Sequence, residues 1–456
     1  MYTSICLFLT LIKTQILEYF WDKKLNYDTE LRKVLERFNK IKDIKVSRDS
    51  KDIGTLFRKN EKKRTHFSLD NLNGIIEIDV DNKTVNVGSK TRYYDILNET
   101  LKYNLMPKII PELSSITVGG AITGVSIESS SFKYGWGHDS VIDMDVLVSS
   151  GEVLFCTNSN ENKDLFDSIP NSYGVFGYIT RVKLELIEAK KFVNVTNHKF
   201  TNNKEAFEFM KTIDNDIDFM DAVCFRKDEI YVITGKLSNT ANKKPSTYPL
   251  NEVYYETIRK YKRDTFTLYD YYWRWDADMF WGVTDVSFLK NIWVRNIFGR
   301  YLLNSRMLRA LQKIIKSFKK TSKRENIVQD LGIPYKNASV YFEWICDEIK
   351  IYPLWICPVV PKKSNTKFWT YNNNELYFDI GVFGNIKKFH GEEFHYNKII
   401  ERKLLDLSGN KCFYSGTYLS REQFNTLIDK DAYNIIKNKY DCNNRFGDLY
   451  KKISQC

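Results

Sequence analysis

Between residues 111 and 138 the chain reads PELSSITVGGAITGVSIESSSFKYGWGH, five glycines among serines and few charges. Neither an ordinary helix nor an ordinary strand spends glycine so closely, because each interior glycine costs roughly 0.5–1 kcal/mol relative to alanine. The stretch is expected to lay bare main chain against something large and flat, or against a phosphate cradled by amide N–H groups. A tight packing turn followed by a surface loop explains one pair of glycines, not the whole run.

The rest of the chain supplies a globular frame. Its 456 residues, 43% hydrophobic and 28% charged, exclude a fibrous or wholly disordered chain and predict two or three domains. The net charge of +12 has two readings, heavy use of Lys and Asn throughout or attraction to anionic surfaces. The basic residues are interleaved with acids, and no nucleic-acid partner is expected. Eight Cys show no CxxC spacing and five His are scattered, so no metal site is predicted; Cys346 and Cys357 read as small core residues. The chain is read as intracellular.

Residues 5–12, ICLFLTLI, are followed by Lys13. The run is short for a span and makes a poor signal peptide. A buried helix and an interfacial membrane anchor helped by Tyr19, Phe20 and Trp21 both stay open, as does a true span.

Helical spacing over 28–42 puts Leu31, Val34, Leu35 and Phe38 on one face. A hairpin is predicted at 75–89, a helix at 91–103, and strands at 140–148 and 152–157. Residues 164–188 read as a short helix, a tight segment at Gly174 and Gly177, and a strand. No GxGxxG and no GxxxxGK[ST] occurs. Beyond residue 191 glycine becomes rare. A helix is expected over 204–220, strand-like chain over 221–237, and an amphipathic basic helix over 286–320. Residues 341–360 read as helix then strand, 375–384 as a strand, 413–419 as a short strand and 421–428 as a helix. The aromatic stretch 254–282 is either core or the wall of an apolar pocket, with Arg263, Arg274 and Asp276 as polar handles.

The ordered combination Pro111-Glu112-Leu113, Thr117-Val118-Gly119-Gly120, Ile127-Glu128-Ser129-Ser130-Ser131 and Lys133-Tyr134-Gly135 resembles the central flavin-binding stretch of FAD-linked oxidoreductases with the vanillyl-alcohol oxidase type of fold, and among them the delta-24-sterol reductases. Asn162, Asp164-Leu165-Phe166 and Gly174-Val175-Phe176-Gly177 resemble their second flavin loop. Residues 351–358 and 376–381 resemble their substrate-domain strands. The resemblance implies an α+β fold: a two-part FAD-binding domain of the vanillyl-alcohol oxidase type with an α+β substrate (cap) domain. The implied division is a hydrophobic amino-terminal segment at 1–27, an FAD-binding domain at 28–190, a substrate domain at 191–400 and a segment at 401–456 that completes the fold.

By residue match, the resemblance implies that FAD lies on Pro111, Glu112, Ser115, Ile116, Thr117, Val118, Gly119, Gly120 and Gly124, with Ile127, Glu128, Ser129, Ser130, Ser131, Tyr134 and Gly135 nearby and Gly174, Gly177 and Ile179 packed near it. The family's glycine-rich first loop corresponds to TLFRKNEKKRTHFSLD at 55–70, which has no glycine. There Arg64 is expected to neutralise pyrophosphate, and His66 is the one candidate for covalent attachment; noncovalent FAD is expected. The implied reaction is reduction of a carbon–carbon double bond in a sterol-like hydrophobic substrate, with NADPH or NADH as electron donor. Arg274, Tyr272, Tyr352 and Glu343 are the candidates around the reacting atoms. Where histidines flank the arginine in the sterol reductases, Trp273 and Trp275 stand here. An oxidase or dehydrogenase of an alcohol, sugar alcohol or lipid-linked sugar, and a flavin fold without activity, are the alternatives.

Overall fold

The structure, a computed structural model, describes residues 24–41, 46–48, 65–212, 216–248, 253–278, 281, 291–293, 295–297, 303–305, 324–362, 368–369, 371–372 and 374–455. The apolar run at 5–12, Arg64 and most of the basic stretch 286–320 lie outside them. Among the described residues, no helix is long and apolar enough to cross a membrane.

The helix Tyr27–Asn39 forms where its spacing predicts, started by the Asn26 side chain, which accepts from the Thr29 N–H at 3.2 Å. It buries Val34 and Phe38 against Phe67, Leu147, Tyr178 and Phe446; full burial of a ring such as Phe38 contributes about 1.5–3 kcal/mol. Strands β1 (Val46–Arg48) and β2 (Thr65–Phe67) pair in parallel. The predicted hairpin is β3 (Ile75–Asp79) and β4 (Thr84–Gly88), turning at Asp79, whose carboxylate accepts from the Asn82 N–H at 2.9 Å. With β5 (Leu105–Pro107), β6 (Val141–Leu147), β7 (Val153–Thr157) and β8 (Tyr178–Glu188) they form a sheet of order β3-β4-β8-β6-β7, β5 pairing with β8.

A second, eight-stranded sheet follows. Its members are β9 (Phe192–Phe200), β10 (Phe219–Arg226), β11 (Glu229–Ser238), β12 (Arg263–Thr267), β13 (Arg324–Pro334), β14 (Leu354–Val359), β15 (Tyr377–Lys387) and β16 (Asn410–Lys411), in the order β12-β9-β11-β10-β14-β15-β13-β16. Every pairing is antiparallel. One face carries the helices Asn203–Thr212, Tyr335–Glu348 and His395–Asp406 over Ile327, Leu331, Leu354, Ile356, Phe378 and Ile380. The other face, with Trp355, Cys357, Tyr377 and Phe383, shares a core with Trp136, Val118 and Val146 of the first sheet's region. The chain then returns to that region: Arg445 donates to the carbonyls of Ser149, Phe38 and Ile41 at 2.8–3.0 Å.

The α+β architecture is the expected one, an FAD-binding region with a separate sheet-rich region. Four local expectations change. The helix expected over 204–220 ends at Thr212, and β10 begins at Phe219 because it pairs with both β11 and β14. The strand-like 221–237 is a hairpin turning at Lys227 and Asp228. Residues 413–419 are not a strand: Phe413–Ser415 is a single helical turn ended by Gly416 at φ +88°. The helix expected over 421–428 stops at Phe424, and a longer one follows at Lys430–Tyr440.

Candidate active site

The Gly/Ser segment runs between the two sheets. Its short helix Val118–Gly124 ends at Val125, held at φ +64°. A β-branched residue there is strained by about 1–3 kcal/mol, and such strain gathers at functional sites. The second loop is strained likewise, with Asn171 at φ +58° and Tyr173 at φ +51°. The two loops meet: the Tyr173 N–H donates to Thr123 O at 3.2 Å and its hydroxyl to Gly124 O at 3.0 Å. The segments that sequence reads as two flavin loops are therefore one structural unit, which includes Gly174; Gly177 and Ile179 lie buried at the start of β8.

Two of the glycines have a reason other than the expected one. A Cβ on Gly119 would lie 2.9 Å from the Ser89 carbonyl oxygen, and one on Gly135, at φ +82°, would lie 2.1 Å from Asp139 Oδ2. Close packing within the protein demands glycine at both. Gly119→Ala is expected to cost about 1–3 kcal/mol by overpacking, read as a lower urea midpoint; an unchanged midpoint would show that Ser89 yields freely.

Whether this segment suits a bound flavin is tested by its polar atoms. Thr117 Oγ1, Ser126 Oγ, Trp136 Nε1 and both ring nitrogens of His138 are buried without a hydrogen-bond partner among the described residues. An orphaned buried polar group costs about 1–3 kcal/mol. So dense a set of unmet donors and acceptors, beside half-buried Ile116, Gly120, Val125 and Ile127, fits a polar, flat cofactor.

The serines also fasten the segment to the second sheet. Ser129 O accepts from the Met220 N–H at 2.6 Å and Ser131 O from the Val360 N–H at 3.3 Å. Ser130 Oγ donates to Lys108 O at 2.8 Å, and Ser131 Oγ accepts from the Glu128 N–H at 3.0 Å. Ser114 and Ser305 bind the Asp276 carboxylate through their N–H groups at 2.9 and 3.2 Å, and Ser305 Oγ donates to Ser115 Oγ at 3.0 Å. Pro111 is buried and Tyr134 half-buried, under the Lys108 ammonium at 5.9 Å. His66 falls on β2.

Beneath the segment lies Arg274, fully buried. Its guanidinium donates to Asp221 Oδ2 at 3.2 Å and to Tyr271 O at 2.8 Å, stands 3.8 Å from Glu128 and stacks 3.9 Å from the Tyr271 ring centre. Asp221 also accepts from Trp355 Nε1 at 3.1 Å. Glu112 and Glu128 hydrogen-bond one another. Burial and then the Glu128 charge push the Glu112 carboxyl well above its ordinary range. Burial raises Glu128 too, against the pull of Arg274. Tyr272 is buried beside this group, its hydroxyl 3.6 Å from Met106 Sδ.

Of the four residues expected around the reacting atoms, the fold brings together Arg274 and Tyr272 and keeps the other two apart. Glu343 is exposed on the helix Tyr335–Glu348, accepting from Asn203 Nδ2 at 3.3 Å. Tyr352 packs with the helices on the far face of the second sheet, its hydroxyl 3.3 Å from Cys346 O. Most rings of the stretch 254–282 are core: Tyr254, Tyr271, Tyr272 and Trp275 are buried and pack edge to face on one another and on Phe266, while residues 259–263, Arg263 among them, and Tyr269 are exposed. Sequence reading missed Asp330 and Asp379, acids within the apolar strands VQDLGI and LYFDIGV; an acid inside an apolar run was the available signal.

The two-sheet fold, together with the family match at its amino-terminal part, supports an oxidoreductase with the vanillyl-alcohol oxidase type of FAD-binding fold. The FAD binding domain family matches residues 33–157. More particularly, the chain is distantly related to Delta(24)-sterol reductases: it is 27% identical to that of Homo sapiens over 416 residues, 86% of this chain and 78% of the relative. It is 25% identical to that of Pisum sativum over 490 residues, covering 96% and 86%. Cytokinin dehydrogenase 10 of Oryza sativa subsp. japonica is 31% identical over 136 residues, 28% of this chain and 24% of the relative.

Proposed function

We propose that the protein reduces a carbon–carbon double bond of a sterol or similarly hydrophobic substrate, using noncovalent FAD reduced by NADPH or NADH. The observation that carries this reading is the extent of the likeness. Similarity to the sterol reductases spans 85% or more of the chain, against 28% for the dehydrogenase. In this reading the unmet polar groups of Thr117, Ser126 and Trp136 hold the cofactor, and 174–179 packs beside it.

When bound, FAD supplies hydride transfer; the chain supplies position, dryness and charge. Arg274, charged at every accessible pH, holds Glu128 and Asp221 in place. Ser129 donates to Glu128 and hydrogen-bonds the Tyr271 hydroxyl at 3.0 Å, fixing the edge of the site. The buried rings around Tyr271 exclude water and suit an apolar substrate. The apolar run at 5–12 would bring the protein to the membrane surface where such substrates dissolve.

The test is a visible spectrum of the purified protein before and after acid denaturation, followed by anaerobic NADPH and a delta-24 sterol. Flavin bands that leave with the acid supernatant, bleaching by NADPH and a sterol heavier by two hydrogens are expected. A colourless protein that refuses added FAD would overturn the reading. Hydrogen peroxide made from an alcohol, with no sterol reduced, would replace it with an oxidase.

A further inference from the structure

Beyond the Arg274 cluster, the second sheet carries another buried acid pair. In the register of β13 and β15, Asp330 lies opposite Gly381 and Asp379 opposite Gly332, so the two acids are diagonal neighbours on one face; a Cβ on Gly381 would lie 2.9 Å from Asp330 Oδ1, and one on Gly332 would meet the Tyr371 hydroxyl. That face looks toward the flavin segment: Cys357, opposite Asp379 on β14, donates its thiol to Glu128 O at 3.2 Å, while Phe378 and Ile380 point to the helices behind. Asp379 is completely buried, and among the described residues neither of its oxygens has a donor outside the pair; Asp330 Oδ1 has none either. Two carboxylates so placed cannot both be ionised without a counter-ion.

We propose that Asp330 and Asp379 hold a proton between them and are the acid that protonates the substrate carbon next to the one receiving hydride. This rests on the sterol-reductase reading above. In that step the alkene π pair becomes the C–H bond to the proton. The neighbouring carbon takes hydride, with its two electrons, from flavin reduced by a nicotinamide nucleotide. The pair is left one proton poorer, and water restores it at Asp330, which is half-buried where Asp379 is sealed. An isolated alkene resists hydride alone, so an acid held ready beside it is the group the reaction needs.

The titratable groups around the pair agree with a retained proton. Cys357, Tyr371, Cys412 and Tyr414 are all pushed upward by burial, so they stay neutral. The nearby cation is Lys411, itself bonded to Glu401 and Gln329. Burial raises Asp330 to about 6 despite bonds from Tyr414 and the Lys411 charge, and Asp379 is raised well above the usual range by burial and by the Asp330 charge.

The test uses the full chain reconstituted with FAD, and Asp379→Asn. Reoxidation of NADPH-reduced protein by a delta-24 sterol is expected to slow about 100-fold or more, while bleaching by NADPH stays within about threefold. In FAD-free protein at neutral pH, the infrared carbonyl band of a buried, protonated carboxylic acid is expected in the wild type and reduced in the variant. An unchanged band, or sterol reoxidation unaffected by the substitution, overturns the proposal. If D379N fails to fold, Asp330→Asn is judged by the same outcomes. If the wild type reduces no sterol, the acid role falls with the broader reading, and the infrared band alone decides whether the pair holds a proton.

Discussion

Arg274→Ala is expected to cost about 3–5 kcal/mol, the penalty for leaving buried acids without their cation. Asp221 and Glu128 are both fully buried, and Arg274 is the guanidinium between them. The substitution also removes the stack on Tyr271 and the donor to its carbonyl. Against a typical total of about 5–15 kcal/mol, such a loss decides whether the chain folds at all. Arg274→Lys keeps the charge but not the planar fork, and its loss should be smaller. Asp221→Asn combined with Arg274→Met should recover part of the deficit, because the pair then leaves together. Urea midpoints of the four proteins check this. An R274A midpoint within the equivalent of about 1 kcal/mol of wild type would mean that water reaches these acids.

The local parts of this architecture were legible and the long-range parts were not. The helix Tyr27–Asn39 and the hairpin β3–β4 could be read because period and turn residues sit side by side in sequence. The Gly/Ser segment could be singled out because its motif is contiguous. Even so, its glycines could not be assigned their reasons. The atoms that forbid a side chain at Gly119 belong to Ser89, on a distant turn. β13 was hidden because Gln329 and Asp330 interrupt its apolar pattern, and only its last four residues are buried on both faces. Asp330 and Asp379 become neighbours only through strand register, which no local periodicity announces. Glu343 misled for the same reason: its distance from Arg274 is set by which face of the second sheet its helix covers.

Glu112→Gln is expected to make the protein more resistant to alkali than the wild type. The folded Glu112 carboxyl is raised well above its ordinary value of 4.5, first by burial and then by Glu128. A group raised in this way contributes stability that is complete below the unfolded value and is lost as pH rises through the folded one. Over that window the folded chain keeps a proton that the unfolded chain has released, and stability falls by about 1.4 kcal/mol per pH unit. Glutamine cannot ionise and keeps a donor for Glu128, so the variant lacks this slope. His138, buried and held below its ordinary value of 6.5, acts with the opposite sign on the acid side. It is present in both proteins and drops out of their difference. Melting temperatures compared from about pH 5 upward should therefore diverge in favour of E112Q, by an amount that grows until Glu112 ionises in the folded wild type. Parallel curves would show that Glu112 is already ionised beside Glu128, and the shared proton at the foot of the flavin segment would have to be abandoned.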